Sequence, residues 1–290
     1  MPTIAPGSVV DGYVIGAPLG EGSSGRVFRA NARNGSEVAL KLLDAELSKH
    51  PVIKSRFERE ARALNGLDHP HLIRILDYGT FESTPYIAME LLHGRPLDEL
   101  VEERPLGPEI AFQIAIGIVA GLAHAHAHGV LHRDLKPENV FVHELDDGSL
   151  HPKLIDFGLA RFTNEERWGA HETLTEEGTL VGTPTYMAPE QGFGKRATEQ
   201  SDVYSAGVVL FELIALRPPF VNESRSALIR AHLLEPPPKI PAVRPGVVVQ
   251  PQLEALLEMA LAKKAQDRFD SAVSMLRAMQ DIPMPAARYV

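Results

Sequence analysis

The sequence predicts an α+β chain in two parts: a strand-rich part up to about residue 90, then a larger, mainly helical part. Three observations lead there. Short apolar runs separated by Gly, Asn and Ser fill the first part. Apolar patterns of helical period dominate after Gly94. At 290 residues and 44% hydrophobic content, the chain can pack the core of one large domain or of two small lobes.

In order, "YVIGAPLG" from Tyr13, "GRVFRA" from Gly25 and "EVALKLL" from Glu37 read as strands. One helix interrupts them. "IKSRFEREARALNGL" sets Ile53, Phe57, Ala61, Leu64 and Leu67 at helical spacing, with Gly66 near its end. After "GRPLDELVEE" helices are predicted over about 108–128, 201–216, 223–234, 251–263 and 270–280. The boundary falls near His93–Gly94, between a first lobe over 12–92, preceded by an extension over 1–11, and a second over 93–281. The Pro-rich "EPPPKIPAVRPG" reads as a structured loop between helices, and residues 282–290 as the start of a linker into a longer protein. A small strand-rich lobe joined to a helical one is expected to leave a ligand cleft.

Composition narrows the function classes. With 38 acidic against 29 basic side chains and a net charge of -9, a general nucleic-acid binder is not expected. Without cysteine there is no disulfide, thiolate nucleophile or cysteine zinc site, which fits a cytoplasmic setting. The amino terminus lacks the pattern of a signal peptide. The apolar run "IAFQIAIGIVAGLAHAHA", which carries Gln113 and His124, reads as a buried helix and not as a membrane span.

"LGEGSSGRV" places Gly20, Gly22 and Gly25 in a G-x-G-x-x-G arrangement, where glycines let the backbone approach a phosphate and aim N–H groups at it. An ordinary Gly-rich hairpin would read the same. A strand follows, not a helix, which disfavours a dinucleotide fold. Lys41 sits among apolar residues in "VALKLL", where an ammonium needs an anion; Glu60 and Glu58 on the predicted helix both compete for that role. "HRDLKPEN" sets Asp134 and Asn139 five apart, and "LIDFGLA" presents Asp156 in a short apolar strand that breaks at Gly158. Two carboxylates and an amide, together with glycine N–H groups and a lysine, suit a nucleoside triphosphate with Mg²⁺, a hard cation that takes oxygen ligands. One carboxylate is left to accept the proton of an attacking hydroxyl.

The succession "GEGSSG", "VALK", "HRDLKPEN", "DFG" and "APE", between about Tyr13 and Phe269, resembles the eukaryotic-type (Hanks-type) protein kinase superfamily, with its bilobal fold. The resemblance implies that Gly20, Gly22 and Gly25 cover the ATP phosphates, with Leu19 and Glu21 of the same loop also among the ATP-binding residues. It implies that Lys41 contacts the α and β phosphates and pairs with Glu60, whose spacing to His69–Pro70 favours it over Glu58. Asp134 is implied as catalytic base, Lys136 as a contact to the γ phosphate, and Asn139 with Asp156 as holders of Mg²⁺, with Mn²⁺ as an alternative. "PYIAMELLHG" resembles the strand and hinge between lobes, with Met89 as gatekeeper and backbone groups of Glu90 and Leu92 at adenine; Val27, Ala39 and Phe141 would sandwich the ring.

Lys136, two residues after the catalytic Asp, and Thr183 in "GTPTYMAPE" resemble the serine/threonine-specific branch, whose substrates are protein Ser/Thr hydroxyls. Arg133 in "HRD" implies regulation by phosphorylation of the activation segment, and Thr175 and Thr179, ahead of Thr173, are the expected sites. Autophosphorylation in trans would require self-association. Asp202 is implied to bind the backbone of the His132–Asp134 loop, and Arg268 to pair with Glu190. The "EQ" after Ala188–Pro189 and the "RAHLLEPPP" stretch resemble the bacterial branch, in which the catalytic domain is often tethered to a membrane through sequence not present here. Glu138 and the acidic balance fit a basic peptide. His124, His126, His128 and His132 resemble a zinc cluster only in sequence, because 126 faces away from 124 and 128 on a helix. A pseudokinase that binds partners or nucleotide without phosphoryl transfer is the alternative reading; it predicts loss of Lys41, Asp134 or Asp156, and all three are present.

Overall fold

The structure is a computed structural model and describes residues 5–22, 25–145, 147–157, 184–284 and 286–289, apart from the side chains of 56, 60 and 289. The expected sites Thr173, Thr175, Thr179 and Thr183 lie outside the described residues, as does the side chain of Glu60. The described residues form two compact units that divide between His93 and Gly94.

The first unit is an antiparallel sheet with one helix on it. The strands β1 (Val9–Val10), β2 (Tyr13–Gly22), β3 (Gly25–Asn31), β4 (Glu37–Leu43), β5 (Ile75–Phe81) and β6 (Thr84–Glu90) lie in the order β1-β2-β3-β4-β6-β5. Helix α1 (Pro51–Leu64) opens on a proline, which suits a first turn whose N–H has no helical partner, and it buries Ile53, Phe57, Ala61 and Leu64. It starts two residues before the predicted helix and ends three earlier, since Asn65 caps it.

One face of the sheet is apolar: Val10, Ile15, Phe28, Ala30, Val38, Leu40, Leu42, Tyr86 and Ala88 form a single buried cluster. Val10 belongs to the stretch expected to be an extension, and its strand pairing with Tyr13 incorporates that stretch into the sheet. The Tyr86 hydroxyl donates to Asp11 at 2.6 Å, so burial and the neighbouring carboxylates push its pKa up. Gly25 has a steric reason to be glycine. Its φ is +148°, and a Cβ there would stand 1.9 Å from the Leu42 carbonyl oxygen.

The second unit contains β7 (Gly94–Pro96), α2 (Leu97–Glu103), α3 (Pro108–Ala127), the hairpin β8 (Val140–Glu144) and β9 (Leu150–Leu154), and α4 (Pro189–Gly192). Then come α5 (Glu199–Ala215), α6 (Arg225–Leu234), α7 (Ile240–Val243), β10 (Val247–Val249), α8 (Pro251–Ala260), α9 (Ala272–Gln280) and β11 (Ala287–Tyr289). Helix α5 is buried almost all round, and Gly207 permits its close approach to α8, since a Cβ there would meet the Ala260 Cβ at 2.9 Å. Thr198 and Ser201 form a reciprocal cap at its start. Helix α3 is long and apolar enough to cross a bilayer by composition, and 67% of its apolar window is buried within the protein, packed on α5, α9 and β9.

Two expectations change. Strand β9 ends at Leu154, and Asp156, expected inside a strand, has φ +54°, a left-handed turn that redirects the chain immediately after the hairpin. The segment from Ile282, expected to begin a linker, instead buries Ile282, Ala286 and Ala287, and β11 pairs antiparallel with β10. Small apolar residues there find a neighbouring strand, which no local pattern announces.

Candidate active site

Expected site residues fall into two constellations, one in each unit. In the first unit, strand register decides which side chains share a face. Val27 lies opposite Gly20 and Lys41, Lys41 opposite Ile87, and Ala39 opposite Met89. Opposed residues point the same way and neighbours along a strand alternate, so Val27, Ala39, Lys41 and Met89 occupy one face and the apolar cluster the other.

Lys41 is 3% exposed. An ammonium so buried requires an anionic partner. Glu58, one of the two candidates, accepts a hydrogen bond from Thr80 on β5 at 3.2 Å, an engagement of its own. Gly20 and Gly22 differ from Gly25, for a Cβ on either would meet no described atom within 4 Å. Their lack of a side chain therefore serves no described packing contact, and it leaves room for a ligand to approach the backbone. Leu19 and Glu21 lie exposed on β2. The Glu90 N–H donates to the Arg74 carbonyl at 3.0 Å. Leu92 follows β6 and is half-buried.

The second unit holds the charged loop. Asp134 follows Arg133, whose φ of +66° turns the chain sharply, and the Asp134 N–H closes onto the His132 carbonyl at 2.9 Å. The Asn139 amide nitrogen donates to the Asp134 carbonyl at 2.7 Å and to its Oδ2 at 3.1 Å, and Lys136 Nζ stands 3.7 Å from that same oxygen. Oδ1 is then the carboxylate oxygen that these two side chains leave available, and the Asn139 amide is oriented with its oxygen turned away from Asp134. The Ile155 N–H donates to the Asn139 carbonyl at 3.0 Å, which sets Asp156 beside Asn139 at the open end of the β8–β9 hairpin. An amide oxygen and a carboxylate on neighbouring stretches of backbone are donors of the oxygen type that a hard divalent cation takes. Phe141 lies on β8 opposite Pro96 and Lys153.

Supports for this loop come from α3, α5 and the hairpin. Asp202 accepts the N–H groups of His132 and Arg133, both at 2.8 Å, as the resemblance implied. His132 is fully buried; desolvation outweighs the nearby Asp202 and Asp134 and pulls its pKa down. Its Nε2 donates to the Ile155 carbonyl at 3.1 Å, and its ring lies 4.6 Å from that of Phe157. The sequence reading gave Phe157 no role, although an apolar residue between Asp156 and Gly158 was the available signal. Arg268 reaches Glu190 through two hydrogen bonds of 2.9 and 2.8 Å. The four histidines diverge: His124 and His128 stack at 4.6 Å, His128 donates to the His124 carbonyl, and His126 and His132 are engaged elsewhere.

Residues 13–280 match the protein kinase domain family. Serine/threonine-protein kinase Pkn1 of Myxococcus xanthus is 38% identical over 263 residues, covering 90% of this chain and 37% of Pkn1. Serine/threonine-protein kinase PknH of Mycobacterium tuberculosis is 37% identical over 277 residues, covering 95% of this chain and 42% of PknH. The chain thus spans less than half the length of either relative. A crystal structure of the Mycobacterium tuberculosis PknI kinase domain superposes with a TM-score of 0.74 at 28% identity, covering 96% of this chain and 99% of that one. With sheet and helices arranged as in that domain and the match spanning nearly the whole chain, this protein belongs to the protein kinase domain family.

Proposed function

We propose that this chain is the catalytic domain of a serine/threonine protein kinase that transfers the γ-phosphoryl group of ATP to Ser and Thr hydroxyls of proteins. The observation that carries the reading is the Asp134–Asn139–Lys136 arrangement beside Asp156. Asp134 Oδ1 accepts the hydroxyl proton as the oxygen attacks the γ phosphorus, and the bond from phosphorus to the bridging oxygen of ADP breaks. Lys136 balances charge on the transferred group, and the buried Lys41 holds the α and β phosphates, partnered by Glu60. Gly20, Gly22 and Gly25 let the backbone of β2 and β3 close over the phosphates. Asn139 and Asp156 would hold Mg²⁺, which neutralises phosphate charge when bound. Thr183 would select the aliphatic hydroxyl.

Autophosphorylation of Thr175 or Thr179 in trans, between transiently associated copies, would add negative charge and acceptor oxygens to the activation segment. The domain would work in the cytoplasm, free or tethered to a membrane. Incubation with Mg²⁺-ATP and a generic basic protein tests the activity: wild type transfers phosphate and Asp156→Ala does not. Equal transfer by both would remove the assignment. Mass spectrometry of wild type and Asp134→Asn expressed in the same host tests the self-modification, which identical phosphorylation of the two would refute.

A further inference from the structure

Helix α6 carries a buried histidine to which the proposed reaction gives no task. His232 is 2% exposed, and Tyr204 on α5 is fully buried. The Tyr204 hydroxyl lies 2.8 Å from His232 Nδ1, and the Phe220 ring meets the imidazole edge to face at a centroid distance of 4.9 Å. The hydrogen bond and the ring contact together fix the plane of the imidazole.

The remaining ring nitrogen faces a turn. Pro184–Tyr186 form one 3₁₀ turn packed on both α5 and α6. Its last residue is anchored to α5: the Ser205 hydroxyl donates to the Tyr186 carbonyl at 2.7 Å, and the Tyr186 hydroxyl donates to Glu212 at 2.7 Å. Its middle residue, Thr185, meets the histidine of α6. Burial first and Lys263 second lower the pKa of His232, while the Thr185 backbone raises it, as a carbonyl near a ring N–H does. Nε2 is nevertheless buried and completes no hydrogen bond among the described residues. A neutral imidazole carries one hydrogen and a carbonyl only accepts, so that hydrogen sits on Nε2 and Nδ1 accepts from Tyr204. A buried donor left unpaired is costly, which favours a small shift of the turn that closes this bond. Thr183, which selects the hydroxyl in the proposed function, immediately precedes the turn, so the shift is passed to it through one peptide bond.

We propose that His232 is a positioning residue for the protein substrate: its Nε2–H closes onto the Thr185 carbonyl when that substrate is bound and holds the Pro184–Tyr186 turn against α6. The proposal rests on the function proposed above, and it names a residue on which recognition of the protein substrate depends while recognition of ATP does not.

The test compares two polar replacements with a generic basic protein as substrate. In His232→Asn the side-chain oxygen takes the place of Nδ1 and keeps the Tyr204 bond, but nothing reaches Thr185; in His232→Gln the amide nitrogen reaches the position of Nε2. The Asn variant is expected to raise KM for the protein substrate about 5- to 10-fold, the size of one hydrogen bond, with kcat and KM for ATP within about twofold of wild type. The Gln variant is expected to bring KM for the protein substrate back to within about twofold of wild type. Hydrolysis of ATP without protein substrate stays at the wild-type rate in both variants, whereas a general loosening of the second unit would lower it. A readout independent of turnover is the His232 Nε2 proton in ¹⁵N-labelled wild type: saturating protein substrate moves it downfield and slows its exchange with water. Wild-type KM in the Asn variant, equal rises in both variants, a parallel fall in ATP hydrolysis, or an unmoved Nε2 proton would overturn the proposal. Absence of transfer by wild type in the same assay would instead overturn the function beneath it.

Discussion

Replacing Arg268 with Met removes one of the most heavily hydrogen-bonded side chains among the described residues. All five guanidinium N–H donors are in use, to the Ala262, Gln200 and Lys263 carbonyls and twice to Glu190. The Arg268 side chain is 0% exposed and that of Glu190 14%, so water can replace little of what is lost. The substitution leaves Glu190 with the Ser201 hydroxyl, at 2.6 Å, as its remaining side-chain donor. Breaking a buried pair from one side costs about 3–5 kcal/mol, a large fraction of the roughly 5–15 kcal/mol that stabilises a domain. Urea unfolding followed by far-ultraviolet circular dichroism should show a fall in the midpoint at unchanged m-value.

Glu190→Leu combined with Arg268→Met should cost much less than the two single losses added, since the double variant strands no charge. Burial opposes ionisation of Glu190, but the hydrogen bonds from Arg268 and Ser201 outweigh it and hold the carboxyl below its ordinary value. A carboxyl depressed on folding contributes stability that is present above its unfolded pKa and lost as pH falls through the folded one. The gap between wild type and Arg268→Met should therefore narrow below the ordinary carboxylate range. A loss under about 1 kcal/mol at neutral pH, or strict additivity in the double variant, would refute the reasoning.

Two further outcomes are expected. Gly25→Ala should destabilise the first unit by at least about 1–3 kcal/mol in urea unfolding, through its positive φ and the Leu42 carbonyl, whereas Gly20→Ala should change stability by under about 0.5 kcal/mol and raise KM for ATP; equal stability losses would contradict this contrast. His232 is buried beside Lys263, and desolvation first and that lysine second lower its pKa to about 4. Because the unfolded chain binds a proton there that the folded chain refuses, His232 should make stability fall by about 1.4 kcal/mol per pH unit between the ordinary histidine value and about 4. His232→Gln should remove that increment, measured as the difference between the two stability–pH curves; parallel curves would show that the histidine is not the group responsible.

Much of the fold and the chemistry of the candidate site can be read along the chain, because both leave short-range marks. The strands around Val27 and Lys41 and the helices over 108–127 and 251–260 follow from residue periodicity, and Pro51 and Pro251 mark helix starts through their own backbone limits. Asp134, Lys136 and Asn139 lie within six consecutive positions, so one loop brings them together by covalent connection alone. Two- and three-residue strands such as β1 and β11 have no such mark, since a partner strand elsewhere decides whether they form. The left-handed turn at Asp156 escapes a pattern-based reading for the same reason, because its neighbours Leu154 and Phe157 are held by the packing of α3 and His132.

What the sequence by itself determined is the set of reactive groups, the longer helices and the strands around Val27 and Lys41, and the family to which they belong. Tertiary structure alone decided which groups are held. The bond from His126 to Asp202 joins residues 76 positions apart, and Tyr186 donates to Glu212 at 2.7 Å across 26. The physical reason is that a hydrogen bond in a buried site depends on which surfaces have closed over it. Closure is a property of packed helices, and no local stretch of residues encodes it.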